Sequence, residues 1–393
     1  MYKEVTNTIL NVGVSDPCIT LFENQYELPE GMAYNSYLIV DDKVCLMDSV
    51  DTDVTDEWIA NIDAALSDAG KTEIDYLVVQ HMEPDHSGSI LTLVKKFPKV
   101  TIYTSMGAQN MMKQFFDEDL SDRITTIKEG DTLELGSHKL SFIAAPMVHW
   151  PEVMMTYEAS EKVLFAADGF GKFGVRGAEA DDWACEARRY YFNIVGKYGA
   201  QVQAVLKKAE GLELEYICSL HGPVLPENEP LDFYIEKYKI WSAYEPEDEG
   251  VAICYASIHD QGTKQAALKL AEMLEAKGIK VGVTDLANDD IHEGVEDAFR
   301  YDKMILCASS YDADLFPPMT QFLNILKIKA YQKRRVALVE NGSWAPSAAR
   351  VMKSYVEGFK DVTLVEPVVT VRSTLKDADV PKLTELVDAL LAQ

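Results

Sequence analysis

The last third of the chain alternates strand-like and helix-like segments, and this alternation narrows the possible folds more than any other feature. The pattern predicts strands at 251–255, 280–284, 303–307 and 335–340, helices at 264–277, 293–299, 318–328 and 347–359, and then a final strand and helix. Regular alternation of this kind predicts a parallel sheet with helices on both faces. We therefore predict a doubly wound, five-stranded α/β unit in this part of the chain.

A boundary is predicted near residues 244–250, where the sequence is acidic and contains Pro246 and Gly250. Strands outnumber helices before this stretch, whereas the two alternate after it. A linker of this composition between two different patterns indicates a domain boundary. A chain of 393 residues is also long enough for two hydrophobic cores. We predict one domain at 1–246 and a second at 250–393.

The first domain contains a dense group of metal-ligand candidates directly after an apolar strand. His81, Glu83, Asp85 and His86 place two imidazoles and two carboxylates within six residues. Unpaired buried carboxylates are unfavourable, and metal coordination is a common remedy. Pro84 disfavours continuation of a helix through this motif, so we expect the ligands to lie on a stiff loop.

Further ligands must come from elsewhere, and three candidates repeat the same local pattern. His149, Asp168 and His221 each follow an apolar strand and stand close to a Gly or Pro turn. A site rich in carboxylates and imidazoles favours a harder, redox-active ion over one that prefers thiolates. The remaining histidines lie beside polar residues, and we expect them to be surface residues rather than ligands: His138, His259 and His292.

These motifs resemble those of the flavodiiron proteins, also called A-type flavoproteins. Hydrolases of the metallo-β-lactamase superfamily carry His-x-His-x-Asp-His, whereas here Glu83 replaces the second histidine, as in the diiron family. The resemblance implies an N-terminal metallo-β-lactamase-like αββα sandwich followed by a flavodoxin-like doubly wound parallel sheet. It also implies two Fe ions in a non-haem diiron site: one held by His81, Glu83 and His149, the other by Asp85, His86 and His221, with Asp168 bridging them.

Three loops beyond the ends of the predicted parallel strands are candidates for binding FMN. The first suits a phosphate at a helix N-terminus, and the other two add aromatic side chains that could flank the flavin ring. The phosphate loop is one residue longer than is usual in the family, and the second loop has Ser310 and Tyr311 where Pro-Thr is usual. The candidate contacts are Ser257, Ile258, His259, Gln261, Gly262, Thr263, Ser309, Ser310, Tyr311, Asp312, Asn341, Gly342, Ser343 and Trp344.

The combination of an FMN-binding domain with a diiron site implies a terminal reductase. The resemblance implies that electrons pass from an external carrier through FMN to the diiron site, which reduces O2 to water, NO to N2O, or both. It further implies a head-to-tail homodimer or a dimer of dimers. No CxxC motif is present for a fused rubredoxin, so the expected donor is a separate molecule such as rubredoxin or a reduced deazaflavin. Tyr190 and Tyr191 are candidate catalytic hydrogen-bond donors, and packing on the core is the alternative for each.

Two other classes of protein remain possible on sequence grounds. One is a dinuclear zinc or zinc–iron hydrolase of the metallo-β-lactamase type with a regulatory flavodoxin domain. The other is an electron-transfer flavoprotein whose first domain is only structural. Glu83 and the domain fusion argue against the hydrolase, and the complete ligand set argues against the electron carrier.

Composition restricts the partners. A formal net charge of −27 disfavours nucleic acid and anionic membranes. No apolar run reaches 18 residues, and the N-terminus lacks the apolar core of a signal peptide, so we expect a cytoplasmic protein. One basic cluster stands out, formed by Lys327, Lys329, Lys333, Arg334 and Arg335. It is either a docking surface for an acidic electron carrier or a solvated helix end.

Overall fold

A computed structural model describes residues 2–175 and 182–392. The chain divides into two compact units. The first comprises Met1–Tyr190 and Ala200–Lys239, and the second comprises Tyr191–Gly199 and Ile240–Gln393. The second unit therefore includes a short segment from the middle of the chain, which the sequence pattern did not indicate.

The first unit is built mainly from short strands. Its strands are β1 Lys3–Glu4, β2 Ile9–Asn11, β3 Val14–Asp16, β4 Leu21–Phe22, β5 Tyr26–Glu27, β6 Met32–Tyr34, β7 Tyr37–Ile39, β8 Cys45–Met47, β9 Tyr76–Val79, β10 Thr101–Ser105, β11 Ile124–Ile127, β12 Thr132–Glu134, β13 Lys139–Ala144, β14 Met154–Glu158, β15 Val163–Phe165 and β16 Tyr216–Cys218. Its helices are α1 Thr55–Asp68, α2 Pro84–Ser87, α3 Ile90–Lys96, α4 Met106–Phe115, α5 Trp183–Tyr190, α6 Gly199–Ala209 and α7 Leu231–Ser242.

Two mixed sheets form the body of this unit. One has seven strands in the order β1-β2-β7-β8-β9-β10-β11, and the other has five in the order β12-β13-β14-β15-β16. Buried side chains from both sheets form one hydrophobic cluster, in which Tyr37 and Met47 of the first sheet meet Phe142 and Phe165 of the second. The two sheets therefore pack face to face around a shared core.

The second unit is a parallel α/β sheet. Its strands are β17 Asp248–Ala256, β18 Val281–Asp285, β19 Tyr301–Tyr311, β20 Asp314–Leu315, β21 Arg335–Asn341 and β22 Thr363–Val371. Its helices are α8 Thr263–Glu275, α9 Ile291–Arg300, α10 Pro317–Ile328, α11 Ala348–Val356 and α12 Val380–Leu391. The main strands are parallel in the order β18-β17-β19-β21-β22, the flavodoxin-like order. The predicted alternation and the two-part fold class are confirmed.

Two local features differ from the sequence-based expectations. Pro84 starts the short helix α2 instead of holding the whole motif in a loop. Proline suits the first position of a helix because its missing N–H would have no partner there, and its fixed φ fits the turn. In the second unit, Asp312 and Ala313 have positive φ and reverse the chain, so that β20 pairs antiparallel with the end of β19.

Candidate active site

The seven metal-ligand candidates follow the ends of four strands in the first unit, β9 of the seven-stranded sheet and β13, β15 and β16 of the five-stranded sheet. The cluster from His81 to His86 follows β9, His149 lies between β13 and β14, Asp168 follows β15, and His221 follows β16. All of these side chains are buried. The strand-end pattern in the sequence therefore brings together residues that are up to 140 positions apart.

The end of β9 is held by a buried carboxylate. Asp48 accepts hydrogen bonds from the backbone N–H of Gln80 at 2.7 Å and from its side-chain amide at 2.9 Å. Burial raises the pKa of Asp48 to about 6, although the bonds from Gln80 oppose this shift. Gln80 directly precedes His81, so this pair fixes the direction in which the ligand motif leaves the sheet.

The ligand candidates form two groups. His81, Glu83, His149 and Asp168 present atoms within one coordination-sized space, and Asp85, His86 and His221 form the second group. Asp168 faces both: its Oδ2 lies 3.0 Å from His149 Nε2, and its Oδ1 lies 3.2 Å from His86 Nε2. One carboxylate with an oxygen directed at each group has the geometry of a bridging ligand for two metals.

Backbone and side-chain acceptors orient two of the imidazoles. His81 Nδ1 lies 2.8 Å from Glu152 Oε1, which leaves Nε2 facing Glu83 Oε2 at 3.2 Å. His221 Nδ1 lies 2.8 Å from the carbonyl oxygen of Ala33, so its Nε2 faces the second group. A hydrogen-bond acceptor at one ring nitrogen holds the proton there and leaves the other nitrogen free to bind a metal.

Charges within the site shift its pKa values in opposite directions. Burial lowers the pKa of His81, but the nearby carboxylates of Asp168 and Glu152 outweigh burial and raise it well above its usual value. The pKa of His149 is raised in the same way, to about 9. Burial raises the pKa of Asp168, but His81 and other imidazoles outweigh burial and lower it well below its usual value. Metal binding to His81 and His149 would release protons, because an imidazole must be neutral to bind a metal.

The donor set fits metal ions. Both carboxylate oxygens of Asp85 are buried and have no hydrogen-bond partner within residues 2–175 and 182–392. Burying such a group is unfavourable unless something compensates it. Oxygen and imidazole donors together suit first-row transition metals, including iron. The site can therefore accept two such ions, each with nitrogen and oxygen ligands.

A further acidic residue borders the site. Glu23, in the turn between β4 and β5, is exposed and interacts electrostatically with Glu83. Partial desolvation and the negative charge of Glu83 raise the pKa of Glu23 to about 7, although its side chain still reaches solvent. No sequence pattern pointed to this residue, because it lies in a polar turn far from the ligand motifs.

A pocket of about 770 Å³ lies in the second unit at the carboxyl ends of the parallel strands. Eleven of the fourteen predicted FMN contacts line it: Ile258, His259, Gln261, Ser309, Ser310, Tyr311, Asp312, Asn341, Gly342, Ser343 and Trp344. Ser373 and Thr374 line it as well and were not predicted. They follow β22, so applying the strand-end rule to the last strand would have identified them.

The three other predicted FMN residues do not line the pocket but contact residues that do. Thr263 is buried, and its hydroxyl lies 2.8 Å from the hydroxyl of Ser309. The hydroxyl of Ser257 interacts with backbone groups of its own loop, including the carbonyl oxygen of His259 at 2.5 Å. Gly262 has a φ of +69°, and a Cβ there would collide with Ser373 O and Asn341 Nδ2. Only glycine therefore allows the phosphate loop to pack this closely.

Comparison with known proteins identifies the family. Residues 32–222 match the model of the ODP family beta lactamase. An uncharacterized protein of Methanocaldococcus jannaschii is 30% identical over 98% of this chain and 97% of its own. The nitric oxide reductase of Moorella thermoacetica is 27% identical over 97% and 96% of the two chains. The rubredoxin oxygen:oxidoreductase of Desulfovibrio gigas superposes with a TM-score of 0.89 at 25% identity, covering 99% and 98% of the chains. The chain belongs to the flavodiiron family.

Flavodiiron proteins carry FMN and a non-haem diiron site, and this member has a pocket and a ligand cluster that fit them. The pocket fits because it is large, lies at a helix N-terminus and has aromatic side chains at its edge, with Tyr311 44% and Trp344 90% exposed. The characterised relatives are oxidoreductases, so the hydrolase alternative is not favoured.

The two candidate tyrosines of this flavodiiron protein have different surroundings. Tyr190 is fully buried in the first unit, with its ring centroid 5.6 Å from that of His221. Its hydroxyl has no hydrogen-bond partner among the described residues. Tyr191 is grouped with the second unit, where its ring packs against those of Phe192 and Trp241. The surroundings favour Tyr190 as the candidate hydrogen-bond donor, and they favour the alternative, packing on the core, for Tyr191.

The basic cluster is largely structural. Arg334 is only 2% exposed, and its guanidinium donates to the carbonyl oxygens of Tyr244, at 2.7 Å, and Phe299. Lys333 and Arg335 each donate to a further backbone carbonyl at 2.9 Å. These hydrogen bonds hold chain segments within the second unit together. Neutralising the three residues would thus disturb the fold and could not test carrier docking cleanly.

The expectation that the other histidines lie on the surface is wrong for two of them. His138 is buried and its Nδ1 lies 2.8 Å from Asp41 Oδ2, while buried His292 lies 2.9 Å from Asp290. Polar neighbours in the sequence can surround a histidine because they solvate it inside the fold. His259 is exposed and lines the flavin pocket.

Within residues 2–175 and 182–392, no helix combines the length and apolar character needed to cross a bilayer.

Proposed function

We propose that this flavodiiron protein passes electrons from an external carrier through FMN to a diiron site that reduces O2 to water, NO to N2O, or both. The observation that carries the proposal is Asp168, whose two oxygens face two separate groups of ligands. When bound, FMN would accept and pass on electrons, and two iron ions would bind the gas and deliver the electrons to it.

The grouping of the ligand candidates supports a role for each of them. His81, Glu83 and His149 would hold one iron, and Asp85, His86 and His221 would hold the other. Asp168 would bridge them and fix their separation. Glu152 and the carbonyl of Ala33 keep two imidazoles in the orientation that metal binding needs.

Tyr190 is proposed as a hydrogen-bond donor at the site. Burial, together with the negative charges of Asp168, Glu83 and Asp85, raises its pKa well above the usual value, so the hydroxyl keeps its proton. Replacing Tyr190 by Phe removes only the hydroxyl. We expect a lower kcat with unchanged iron and FMN content, and unchanged kcat would contradict this role.

The first experiment is to measure iron, zinc and flavin per chain in protein purified without oxygen. Two irons and one FMN would support the reductase. The reduced protein is then mixed with O2 or NO in a stopped-flow instrument, and flavin reoxidation is followed. Two zincs and no reoxidation by either gas would contradict the proposal and support the hydrolase alternative.

We further propose a head-to-tail homodimer, or a dimer of such dimers, in which the FMN of one subunit serves the iron site of its partner. The test mixes two inactive variants, Asp168→Ala, which lacks the bridging ligand, and Gly262→Val, which closes the phosphate loop. Exchange of subunits should restore activity, because a mixed dimer contains one intact pair of centres. Exchange without recovered activity would contradict the arrangement.

The electron donor is proposed to be a separate rubredoxin or a reduced deazaflavin. The name of the Desulfovibrio gigas relative supports a rubredoxin. Reduction rates of the bound flavin by each donor, measured without oxygen and over a range of salt concentrations, would distinguish them.

A further inference from the structure

A cavity of about 290 Å³ lies in the first unit between the five-stranded sheet and helices α6 and α7. Its wall is apolar: α6 contributes Val202, Val205, Leu206 and Ala209, at the spacing of one helix face. Strands β14 and β15 contribute Met155 and Leu164 from the opposite side. Helices and strands thus form much of the wall, and connecting segments such as 210–212 complete it.

We propose that this cavity binds small apolar gas molecules and supplies the gas substrate to the metal site. The inference rests on the proposed function for its substrate, but the binding of gas by the cavity can be tested independently of catalysis. The molecules concerned are diatomics without charge, the class to which both O2 and NO belong.

The lining of the cavity includes both exposed residues and residues next to two metal-ligand candidates. Its exposed residues include Glu210, Asp232 and Lys239, which form a polar rim. Its buried lining residues include Val148 and Gly169. These two residues are the direct chain neighbours of His149 and Asp168, so the cavity borders the chain segments that carry one ligand candidate of the first group and the bridging candidate.

Two polar side chains beside Gly169 and Phe170 already form hydrogen bonds. The hydroxyl of Tyr238 accepts a hydrogen bond from the backbone N–H of Phe170 at 2.6 Å, and the two rings stack with centroids 4.2 Å apart. The hydroxyl of Ser219 donates to the carbonyl oxygen of Gly169. A water molecule needs two or more polar partners to stay in a cavity, so the apolar lining beside Gly169 and Phe170 favours an apolar guest.

The size also fits several small guests. The volume of about 290 Å³ is roughly ten times the ~30 Å³ that one molecule occupies in liquid water. Apolar voids of this kind bind xenon and benzene in other proteins. A gas that dissolves poorly in water would therefore reach a higher local concentration here than in the solvent, next to the residues that would use it.

Xenon is the probe for binding, since it is apolar, unreactive and visible by its anomalous scattering. Crystals of the full-length protein are exposed to xenon under pressure, and the position of any xenon atom is determined. We expect occupancy between α6 and β15. No xenon in this cavity at pressures that load other apolar cavities would overturn the proposal.

Rate measurements test supply of the substrate. Val205→Phe places a ring in the cavity, and Ala204→Phe makes a comparable substitution at the exposed neighbouring position of α6. Ile235→Phe fills the cavity from α7, which guards against a local defect in one variant. In each, iron and FMN content and the rate of flavin reduction by the donor are measured first, because these should not change.

The reduced protein is then mixed with increasing gas concentrations. For the two filling variants, the second-order rate constant for reoxidation should fall by about fivefold or more, as expected when access limits encounter. The Ala204→Phe control should match the wild type. Xenon binding with unchanged rate constants in both filling variants would overturn the supply role. A wild-type protein that neither gas reoxidises would instead refute the proposed function, and this is seen before any variant is made.

Discussion

Replacing Glu152 by Gln should weaken metal binding without removing a single ligand. Glu152 Oε1 accepts from His81 Nδ1 at 2.8 Å and from the backbone N–H of Met82 at 3.0 Å, and its side chain is completely buried. The carboxylate therefore fixes the orientation of the imidazole and the start of the ligand motif. Glutamine keeps the size and shape but has no negative charge.

The expected loss of metal affinity follows from the role of the negative charge on Glu152. A carboxylate behind a metal-bound imidazole makes the ring a stronger donor and holds its proton on the far nitrogen. Loss of such partners typically lowers metal affinity by about 10- to 100-fold, or about 1.4 to 2.8 kcal/mol. Glutamine can still accept through its amide oxygen, so we expect a value near the lower end for Glu152→Gln and near the upper end for Glu152→Ala.

Competition with a chromophoric chelator measures this difference. Metal-free protein is titrated without oxygen with Fe(II) or Co(II), and two dissociation constants are fitted. Glu340→Gln is the matched control, because Glu340 is also buried and accepts two hydrogen bonds, at 2.9 and 2.8 Å, but lies in the second unit. If Glu152→Gln and Glu152→Ala both retain the wild-type dissociation constants, Glu152 only fills space. The reasoning about imidazole orientation and donor strength is then refuted.

Three further predictions address other parts of the molecule. Gly262→Ala should sharply lower FMN content but leave iron content unchanged, because the added Cβ collides with the loop after β22; flavin and metal analysis of the same sample checks this. Asp168→Ala should remove magnetic coupling between two irons, and Mössbauer spectroscopy that still shows a coupled pair would contradict the bridging assignment. Burial raises the pKa of Asp41, but hydrogen bonds from His138 at 2.7 and 2.8 Å outweigh burial and lower it below 3.8. The folded state thus binds this proton less readily than the unfolded state, so the stabilisation is present above about pH 4 and is lost as the pH falls. Urea unfolding should show Asp41→Asn about 1 to 2 kcal/mol less stable than wild type at pH 7, with a smaller difference at lower pH; a difference independent of pH would contradict the assignment.

Sequence reasoning succeeded where chemistry and strand ends coincide. His149, Asp168 and His221 could be predicted because each follows an apolar strand, and neighbouring strands bring their ends to the same edge of a sheet. The same rule placed eleven FMN candidates around one pocket. Assignment of these residues to individual metal or flavin contacts stays a prediction.

Supporting residues gave much weaker signals. Glu152 stands in a connection between strands and looks like any acidic loop residue, and its role appears only when the fold brings it to His81. The acceptor for His221 is a backbone carbonyl, which no residue type can reveal. Such groups are selected by position rather than by chemistry, so local patterns do not identify them.

The basic cluster shows the same limit for charge. A run of cations in an acidic chain suggests a docking surface if every charge is assumed to face solvent. Arginine can instead satisfy carbonyl oxygens at the ends of helices and turns, since its five N–H donors reach several acceptors at once. Arg334 does this with the carbonyls of Tyr244 and Phe299. Its charge is therefore part of the fold of the second unit, and a search for the donor surface should begin with exposed residues around the flavin pocket, such as Tyr311 and Trp344.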